Sequence, residues 1–277
     1  MSTVVVKIGG AEAVDATAVI ADVAAHIADG TSMVLTHGGS SAVDATLERL
    51  GREPEYVETP AGVTGRFTDA ETMQVFTMVM PGQINTAITA ELQAAGVDAV
   101  GLSGVDGGLL RGPRKSAVRI IEDGRKKIRR GDHAGRIEQV NVQLLQLLLG
   151  AGYTPVVSVP MLADDGVAVN ADADRSAAAV GAAMDATVVL LTDVAGVYAD
   201  AADPTTLIET VETPEEHAAL TDAAEGFMRR KVMAATEALA GGATRVIIAD
   251  ATREDPLTAA LAGAGTHISA AAIGADT

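Results

Sequence analysis

The strongest constraint on the fold is an alternation, along the whole chain, between short β-branched runs and longer segments rich in Ala and Leu. Six short apolar runs predict strands that are buried on both faces, as in a parallel sheet: 3–8, 33–36, 99–102, 155–159, 187–191 and 245–248. Six intervening segments have helical periodicity: 17–28, 42–50, 84–95, 140–149, 174–184 and 229–240. This order predicts an α/β protein with a mainly parallel central sheet and crossover helices.

One segment departs from this alternation. Residues 117–121 and 126–130 flank Asp123-Gly124, and Asp-Gly between two alternating runs is typical of a hairpin turn. We therefore expect a β-hairpin inserted into the α/β fold. Farther along the chain, residues 155–165 predict the boundary between an N-terminal lobe, 1–160, and a C-terminal lobe, 161–277.

The basic residues are concentrated in the hairpin region. The 277 residues include 20 Lys and Arg against 37 Asp and Glu, a net charge of −17, yet ten of the 20 basic residues lie between positions 111 and 136. The overall charge argues against a general binder of nucleic acids or anionic membranes. With only five lysines, the acid-rich composition indicates adaptation to high salt.

What the sequence lacks excludes some kinds of site and makes several kinds of protein less favoured. Cys is absent, which excludes disulfides, thiolate metal sites and cysteine nucleophiles. The motifs of P-loop NTPases, zincins and dinucleotide-binding dehydrogenases are missing, and the five His residues lack metal-ligand spacing. No leader or membrane span is recognisable, so we expect a cytoplasmic protein without a metal site of its own.

Glycine-rich turns follow the first two predicted strands. Lys7 precedes two glycines at the end of the first strand, and His37-Gly38-Gly39 follows the second. Backbone N–H groups in such turns bind anions, and ligands of open α/β sheets lie beyond the carboxyl ends of the strands. The turns predict a phosphate site, although ordinary turns between strand and helix would have the same sequence.

A second lysine of interest lies near the other end of the chain. Lys231 follows Arg229-Arg230 at the start of a predicted helix, where cations are disfavoured unless an anion binds. Lys7 and Lys231 could converge on a transferred phosphoryl group, because this transfer needs mainly positioning and positive charge. Asp174 could orient both lysines, although an acidic cluster before a helix is also an ordinary cap.

These motifs form an ordered set from one end of the chain to the other. In chain order they are Lys7-x-Gly-Gly, His37-Gly38-Gly39, Arg66-x-Thr-Asp69, Asn170 to Asp174, Thr192-Asp193-x-x-Gly196 and Lys231. The set resembles the amino-acid kinase family, and above all its acetylglutamate kinase branch, from Val4 to about Ala249. The resemblance implies an open αβα sandwich that transfers a phosphoryl group from MgATP to a carboxylate.

The resemblance also implies a role for each residue. Three would be catalytic: Lys7 and Lys231 would stabilise the transferring phosphoryl group, and Asp174 would orient them. The acyl substrate would contact Gly38, Gly39, Ser40, Arg66 and Asn170. The nucleotide would lie near Gly9, Gly10, Thr192, Asp193 and Gly196, and Mg²⁺ would be bound through the nucleotide.

Further motifs resemble family members that act on carrier-linked substrates, the LysW-aminoadipate and LysW-glutamate kinases. These motifs are 107–111, Arg114-Lys115, Lys127-Ile128, Arg130-Gly131-Asp132, Glu138-x-Val140-Asn141 and 230–233. In that group the α-amino group of the amino acid is attached to the C-terminus of a small acidic protein, LysW. The inserted hairpin would then dock the carrier and steer its association through Arg114, Lys115, Lys126, Lys127, Arg129 and Arg130; a merely solvated hairpin is the alternative.

Other functions stay open at this point. A kinase of free N-acetylglutamate would need no carrier, and a non-catalytic RNA-binding module would lack the interleaved aromatic side chains that stack on bases. Ser40 and Asp172 depart from the usual acetylglutamate kinase pattern, so the substrate could be LysW-glutamate or LysW-2-aminoadipate. The resemblance also implies a homo-oligomer, a dimer or larger. It implies an N-terminal lobe that binds acyl substrate and carrier and forms the dimer, and a C-terminal lobe that binds the nucleotide.

Overall fold

The computed structural model describes residues 3–9, 16–60, 62, 64–122 and 125–274. The strands in these ranges are β1 (Val4–Ile8), β2 (Met33–His37), β3 (Tyr56–Glu58), β4 (Thr64–Arg66), β5 (Ala99–Gly104), β6 (Leu110–Gly112), β7 (Arg114–Glu122), β8 (Arg125–Gly135), β9 (Gln139–Val140), β10 (Thr154–Ala163), β11 (Ala168–Val169), β12 (Thr187–Thr192), β13 (Thr210–Val211), β14 (Arg245–Asp250) and β15 (Thr266–Ser269). The α-helices are α1 (Ala16–Ala28), α2 (Ser40–Arg49), α3 (Ala70–Thr77), α4 (Thr86–Ala94), α5 (Val142–Gly150), α6 (Ala173–Ala183), α7 (Pro214–Ala223), α8 (Gly226–Ala240) and α9 (Pro256–Leu261). A π-helical segment, Met78–Asn85, joins α3 to α4.

The central sheet is parallel through its middle. Its order is β13-β15-β14-β12-β1-β2-β10-β6-β9, and β5 and β11 also pair with β10. The neighbours of β1 and β2 all run parallel to them, whereas β15, β11 and β9 are antiparallel additions to β14, β10 and β6. The predicted α/β fold with a mainly parallel sheet is confirmed.

Two hydrophobic cores lie on opposite faces of this sheet. Alternate residues of one strand enter different cores: Val5 packs with Val188 and the apolar faces of α6 and α8, whereas Val4 and Val6 pack with Val189 and residues of α1 and α9. A strand that is covered on both faces needs apolar residues at every position, which is why β1 is a continuous β-branched run up to Lys7. The arrangement is the predicted αβα sandwich.

The register places four strand ends at one edge of the sheet. Opposite one another are Ile8 and His37, Lys7 and Leu190, and Thr192 and Asp250. Because these strands are parallel, the segments after β1, β2, β12 and β14 lie along the same edge, where open α/β sheets bind ligands. The predicted glycine turn at 37–39 and Gly9 of the first predicted turn belong to this edge.

The basic segment forms a separate two-stranded sheet. β7 and β8 pair antiparallel from Ala117 opposite Arg130 to Glu122 opposite Arg125, so the predicted inserted hairpin is confirmed. Its Asp123-Gly124 turn lies outside the described residues. A second small hairpin, β3–β4, has only three residues in each strand, which is too short for a period-2 pattern to reveal.

Some expected boundaries differ from the structure, and one helix was not predicted. Residues 155–165 lie largely in β10, a buried strand that pairs with β2, so the sheet continues across the expected lobe boundary; the division of tasks between 1–160 and 161–277 stays a prediction. The helix expected at 84–95 begins as the π-helical segment and continues as α4. Helix α7 was missed, although Thr213 and Glu216 form a capping box at its start.

No helix in the described part of the chain is long and apolar enough to cross a membrane.

The packing of α6 on the sheet depends on one glycine. A Cβ atom at Gly181 would lie 2.1 Å from Cγ2 of Val188 on β12, whereas a Cβ atom at Gly150, at the end of α5, would meet no atom within 4 Å. We expect Gly181→Ala to lower the free energy of unfolding by about 1–3 kcal/mol through overpacking. Gly150→Ala should leave it unchanged or raise it slightly. Urea denaturation measures both, and equal losses would contradict the close approach of α6 to β12.

Candidate active site

A buried carboxylate joins two lysines at the edge of the sheet. Asp174, in the first turn of α6, lies between Lys7 at the end of β1 and Lys231 on α8. The Lys7 Nζ atom is 2.9 Å from Asp174 Oδ1, and Lys231 Nζ donates a hydrogen bond of 3.0 Å to Asp174 Oδ2. The structure therefore brings the three predicted catalytic residues together.

Burial of this cluster strengthens the electrostatic interactions between its three charged side chains. The exposed side-chain fractions of Lys7, Asp174 and Lys231 are 7%, 11% and 12%. Burial alone would raise the pKa of Asp174, but the two ammonium groups outweigh it and hold that pKa well below its usual range. Burial and the charge of Lys7 lower the pKa of Lys231. Asp174 is thus ionised at neutral pH, and one negative charge is shared by two cations that would otherwise repel each other.

The position of Lys231 in its helix differs from the prediction. Helix α8 begins at Gly226, three residues before the expected start at 229. Lys231 therefore lies in the second turn, beyond the reach of the free N–H groups at the helix N-terminus. Its burial next to Asp174, rather than an unfavourable helix dipole, makes this lysine unusual.

A second ion pair borders the cluster. Asp172 caps α6 by accepting the Arg175 backbone N–H at 3.0 Å, and the Arg230 guanidinium lies 3.7 Å from its other carboxylate oxygen. Burial and the charge of Asp174 raise the pKa of Asp172, which Arg175 N–H and Arg230 oppose. The sequence did not assign a role to Arg230, although it stands directly before Lys231.

His37 supports the glycine turn after β2. The buried ring lies at the end of the strand, with Nδ1 2.9 Å from the Gly38 carbonyl oxygen and Nε2 3.3 Å from Asn85 Nδ2. A carbonyl oxygen only accepts, so Nδ1 carries the proton and Nε2 accepts from Asn85. Burial lowers the pKa of His37 to about 4, and the charge of Lys7 adds to the effect against the opposing Gly38 contact. A neutral His37 therefore holds the turn.

Gly39 lies in close contact with the π-helical segment. It precedes the first residue of α2, and a Cβ atom there would lie 2.2 Å from Ile84 Cδ1 and 2.8 Å from Met80 Sδ. The π-helical segment that carries Ile84 and Met80 thus presses directly on the turn.

Arg66, the predicted carboxylate clamp, is held by side chains of this chain. Its guanidinium pairs with Asp44, and Nη2 donates to Ser40 Oγ at 2.7 Å and to Tyr56 OH at 3.0 Å. Tyr56 OH in turn donates to Asp44 Oδ2 at 2.8 Å. Asp44 therefore already pairs with the guanidinium that the sequence predicts as a carboxylate clamp. Tyr56 lies directly opposite Arg66 in the β3–β4 hairpin, whereas Asp44, on α2, is distant in sequence, and no local pattern indicated its contact with Arg66.

Asn170 is tied to the segment that follows Arg66. Its Nδ2 atom donates to the Thr68 Oγ1 atom at 3.0 Å, and its backbone N–H donates to the His133 carbonyl oxygen at 2.7 Å. Thr68 is fully buried. Two predicted substrate residues, Arg66 and Asn170, are therefore linked through one buried threonine.

The predicted nucleotide residues that the structure describes lie along the same sheet edge. Gly9 follows β1, Thr192 ends β12 with Oγ1 donating to Asp193 Oδ1 at 3.1 Å, and Gly10 lies outside the described residues. Gly196 packs against β15, where a Cβ atom would lie 2.6 Å from Thr266 Oγ1. Packing alone thus explains a glycine at position 196. In the described ranges, no group of three or more His, Asp or Glu side chains is placed to hold a metal ion.

The predicted docking residues do not form one patch. Arg114 lies at the base of the hairpin, where its Nε donates to the Asp132 carbonyl oxygen at 3.3 Å, and Lys115 lies near Arg175 and Arg136, whose charges add to burial in lowering its pKa. Farther out on β8, Lys126, Lys127 and Arg130 are exposed. Arg129 instead pairs with Glu55, which precedes β3.

One known protein family matches most of the chain, including the strands and helices of this site. The model of the amino acid kinase family matches residues 2–250, a range that includes β1, α6 and α8. The chain belongs to the amino acid kinase family. It is therefore a phosphotransferase, and as a kinase it uses ATP.

Curated relatives of this kinase act on two kinds of substrate according to their names. A [LysW]-aminoadipate kinase from Deinococcus radiodurans is 43% identical, covering 97% of this chain and 92% of that protein. A second, from Thermus thermophilus, is 42% identical and covers 96% and 99%. An acetylglutamate kinase from Methanopyrus kandleri is 40% identical and covers 95% and 99%.

A solved structure supports the fold. The N-acetylglutamate synthase from Neisseria gonorrhoeae, in complex with coenzyme A and N-acetyl-glutamate, superposes with a TM-score of 0.76 at 27% identity. The alignment covers 97% of this kinase but only 59% of the synthase chain, so the kinase corresponds to little more than half of that protein.

The protonation of His37 gives a testable dependence of stability on pH. In the unfolded chain a histidine has a pKa near 6.5, but burial lowers the pKa of folded His37 to about 4. Between these values the unfolded state binds more protons, so folded stability falls as pH falls. His37→Asn removes this titration. We expect wild type to lose about 3 kcal/mol relative to the variant from pH 6.5 to 4, measured by urea denaturation; parallel pH profiles would contradict the buried neutral ring.

Proposed function

We propose that this kinase transfers the γ-phosphoryl group of MgATP to the side-chain carboxylate of an amino acid that is linked through its α-amino group to a small acidic carrier protein, LysW. The product is an acyl phosphate. The observation that carries the proposal is the buried Asp174 between Lys7 and Lys231, beside the glycine turns of the sheet edge. The two [LysW]-aminoadipate kinases among the relatives support the carrier-linked substrate.

The proposed reaction needs no general base. A carboxylate is already ionised at neutral pH, so its oxygen attacks the γ-phosphorus while the bond from phosphorus to the bridging oxygen breaks and ADP leaves. Lys7 and Lys231 stabilise the negative charge on the phosphoryl oxygens and on the leaving oxygen. Asp174 holds both ammonium groups at one point and keeps their charged forms compatible with burial.

We assign the acyl substrate to the surface formed by β2, β4 and the start of α6. The backbone N–H groups of Gly38 and Gly39 and the Ser40 side chain face the substrate, and Asn170 contacts it from the opposite side. Arg66 binds the free α-carboxylate, because a planar guanidinium recognises a carboxylate through two parallel hydrogen bonds. Since Asp44 already pairs with Arg66, the substrate replaces Asp44 or joins it there.

The nucleotide is assigned to the ends of β1 and β12 and the C-terminal lobe, 161–277. Gly9 and Gly10 donate backbone N–H groups to phosphate oxygens, and Thr192, Asp193 and Gly196 lie near the nucleoside. Mg²⁺ is bound through the ATP phosphates as part of the nucleotide substrate. The acyl substrate and the carrier belong to the N-terminal lobe, 1–160.

The carrier is assigned to the basic hairpin. The chain has a net charge of −17 but carries half of its basic residues between positions 111 and 136, and such a local reversal of charge steers an acidic protein to one place. LysW-2-aminoadipate would place the reaction in lysine biosynthesis, and LysW-glutamate would place it in arginine biosynthesis. The acetylglutamate kinase relative favours a second candidate, phosphorylation of free N-acetylglutamate.

We also propose a cytoplasmic homo-oligomer that works at high salt. Membership of the amino acid kinase family supports the homo-oligomer, and we assign its interface to the N-terminal lobe. The excess of 17 acidic charges would destabilise a compact fold by self-repulsion unless salt screens it.

The catalytic assignment is tested by removing one lysine at a time. Lys7→Gln and Lys231→Gln should each lower kcat by about 100-fold or more, because a lost stabiliser of transition-state charge typically costs 10²–10³. The control is Arg49→Gln, which removes an exposed charge at the far end of α2. Steady-state ATP turnover with saturating acyl substrate measures the effect. Unchanged turnover in either lysine variant would contradict the assignment.

The acyl substrate is tested by comparing four acceptors at equal enzyme concentration. These are LysW-linked 2-aminoadipate, LysW-linked glutamate, free N-acetylglutamate and free N-acetyl-2-aminoadipate. Docking of a tethered substrate raises its effective concentration, so kcat/KM should favour the carrier-linked acceptors by about 100-fold or more. If free N-acetylglutamate reacts as well as either carrier-linked acceptor, the second candidate replaces the first.

A further inference from the structure

The pairing of β7 with β8 divides the hairpin into two faces. Residues directly opposite each other in an antiparallel pair share a face, and successive residues alternate between faces. The first face, called the inner face, carries the pairs Val118 with Arg129, Ile120 with Lys127 and Glu122 with Arg125. The second, called the outer face, carries the pairs Ala117 with Arg130, Arg119 with Ile128 and Ile121 with Lys126. The six predicted docking residues therefore do not act from one side.

The inner face is engaged partly with the rest of the protein and partly within the hairpin itself. Ile120 is buried, and Lys127 pairs with Glu122 of the same hairpin. The Arg129 guanidinium pairs with both carboxylate oxygens of Glu55, with 2.7 Å from Nη2 to Oε2, and its Cζ atom lies 4.2 Å from the centre of the Phe67 ring. A bidentate, stacked arginine of this kind fixes geometry.

The outer face is exposed and carries one sign of charge. Arg119, Lys126 and Arg130 are exposed, and the six outer positions between 117 and 130 include no acidic residue. Ile128 stands among these three cations with 64% of its surface exposed: it is opposite Arg119 and lies between Lys126 and Arg130 along β8. An exposed apolar side chain ringed by uncompensated cations fits an acidic partner that also offers an apolar contact.

The base of β8 joins the hairpin to the acyl-substrate residues. The Asp132 carboxylate accepts the Thr68 backbone N–H at 3.1 Å, and the His133 backbone N–H donates to the Thr68 carbonyl oxygen at 2.7 Å. Asn170 contacts this same segment, because it donates to both the Thr68 hydroxyl and the His133 carbonyl oxygen. Arg129 contacts Glu55, just before β3, and Phe67, just after β4. It therefore holds both ends of the small β3–β4 hairpin, which includes Arg66.

We propose that the outer face, with Ile128 as an apolar anchor, is the docking surface for the acidic carrier, whereas Arg129 is a positioning residue that holds the Arg66 segment to the hairpin. This inference rests on the proposed function and sharpens it. It removes Arg129 and Lys127 from the docking set, and adds Arg119 and Ile128. Arg129 touches neither substrate nor nucleotide and acts through Glu55 and Phe67.

The docking surface is tested with two neighbouring residues on opposite faces. Lys126→Glu and Arg125→Glu make the same change of charge on exposed side chains beside the turn, so long-range attraction for the carrier falls equally in both. We expect Lys126→Glu to raise KM for the LysW-linked acceptor by about tenfold more than Arg125→Glu does, the effect of one lost close charge pair. KM for ATP should stay unchanged in both, and the difference should shrink when salt rises from about 0.05 to about 0.5 M.

The apolar anchor has its own readout. Ile128→Ser should also raise KM for the LysW-linked acceptor, but the ratio of its KM to that of wild type should not depend on salt, because no charge is removed. A KM equal to that of wild type, or the same KM increase in Lys126→Glu and Arg125→Glu, would overturn the assignment of the outer face.

The positioning role of Arg129 is tested by the sign of an effect. Glu55→Gln removes a negative charge, which by charge alone would favour an acidic carrier, whereas loss of the Arg129 clamp would lower kcat/KM. We expect a decrease of about tenfold, within the range of coupling for paired residues. Glu58→Gln removes an exposed charge from β3 without breaking the clamp and should not decrease kcat/KM.

Arg129→Lys separates charge from geometry. It keeps the charge but loses the bidentate clamp, so it should match Glu55→Gln, and the double variant should be no worse than either single variant. Full activity in Arg129→Lys, or equal behaviour of the Glu55 and Glu58 variants, would overturn the positioning role. Thermal unfolding of each variant shows that it is folded.

Failure of the proposed function looks different from failure of this inference. If wild type itself prefers free N-acetylglutamate, carrier docking is overturned together with the proposed function. If wild type depends on the carrier while Lys126→Glu and Arg125→Glu raise KM equally, only the division of the hairpin into faces is overturned.

Discussion

The structure depends on one shared negative charge. Asp174 can hold Lys7 and Lys231 in a buried site only if the start of α6, the end of β1 and the second turn of α8 meet at one point. Two neighbouring features support this arrangement: Asp172 caps α6, and Gly181 lets the same helix lie against β12. Burial of two cations with one anion leaves one positive charge, which suits a site for a phosphoryl group in a chain that is otherwise strongly acidic.

The distribution of charge relates the chemistry to the partner. Salt affects the acidic surface and the two buried lysines differently. Interactions of buried charges are poorly screened, whereas exposed charges that lie farther apart than about 10 Å hardly interact at physiological salt. The hairpin provides exposed positive charge on its outer face, and its base reaches Thr68 and Asn170. The two ends of β8 would then have different tasks. The end near the turn would bind the carrier, and the base would align the substrate.

The sequence predicted most strands and helices of the sandwich and the three residues of the catalytic cluster. Continuous β-branched runs and the Asp-Gly turn depend on local rules, so the parallel strands and the hairpin were predictable. The predicted start of α8 was wrong because Gly226 and Phe227 carry no helix-start signal. The contact of Arg66 with Asp44 joins residues that only tertiary packing brings together, and its contact with Tyr56 depends on the short β3–β4 pairing, which has no sequence pattern long enough to predict. The two faces of the hairpin, by contrast, could have been read from the period-2 alternation of Arg119, Ile128 and their neighbours.

The most direct test of the central claim is a crystal structure of the kinase with MgADP, aluminium fluoride and the acyl substrate. A planar fluoride complex imitates the transferring phosphoryl group, so the account predicts that the Nζ atoms of both Lys7 and Lys231 lie about 3 Å from its fluorine atoms. Asp174 should remain between the two lysines. A complex in which either lysine points away from the fluoride, or in which Asp174 has left both lysines, would contradict the account.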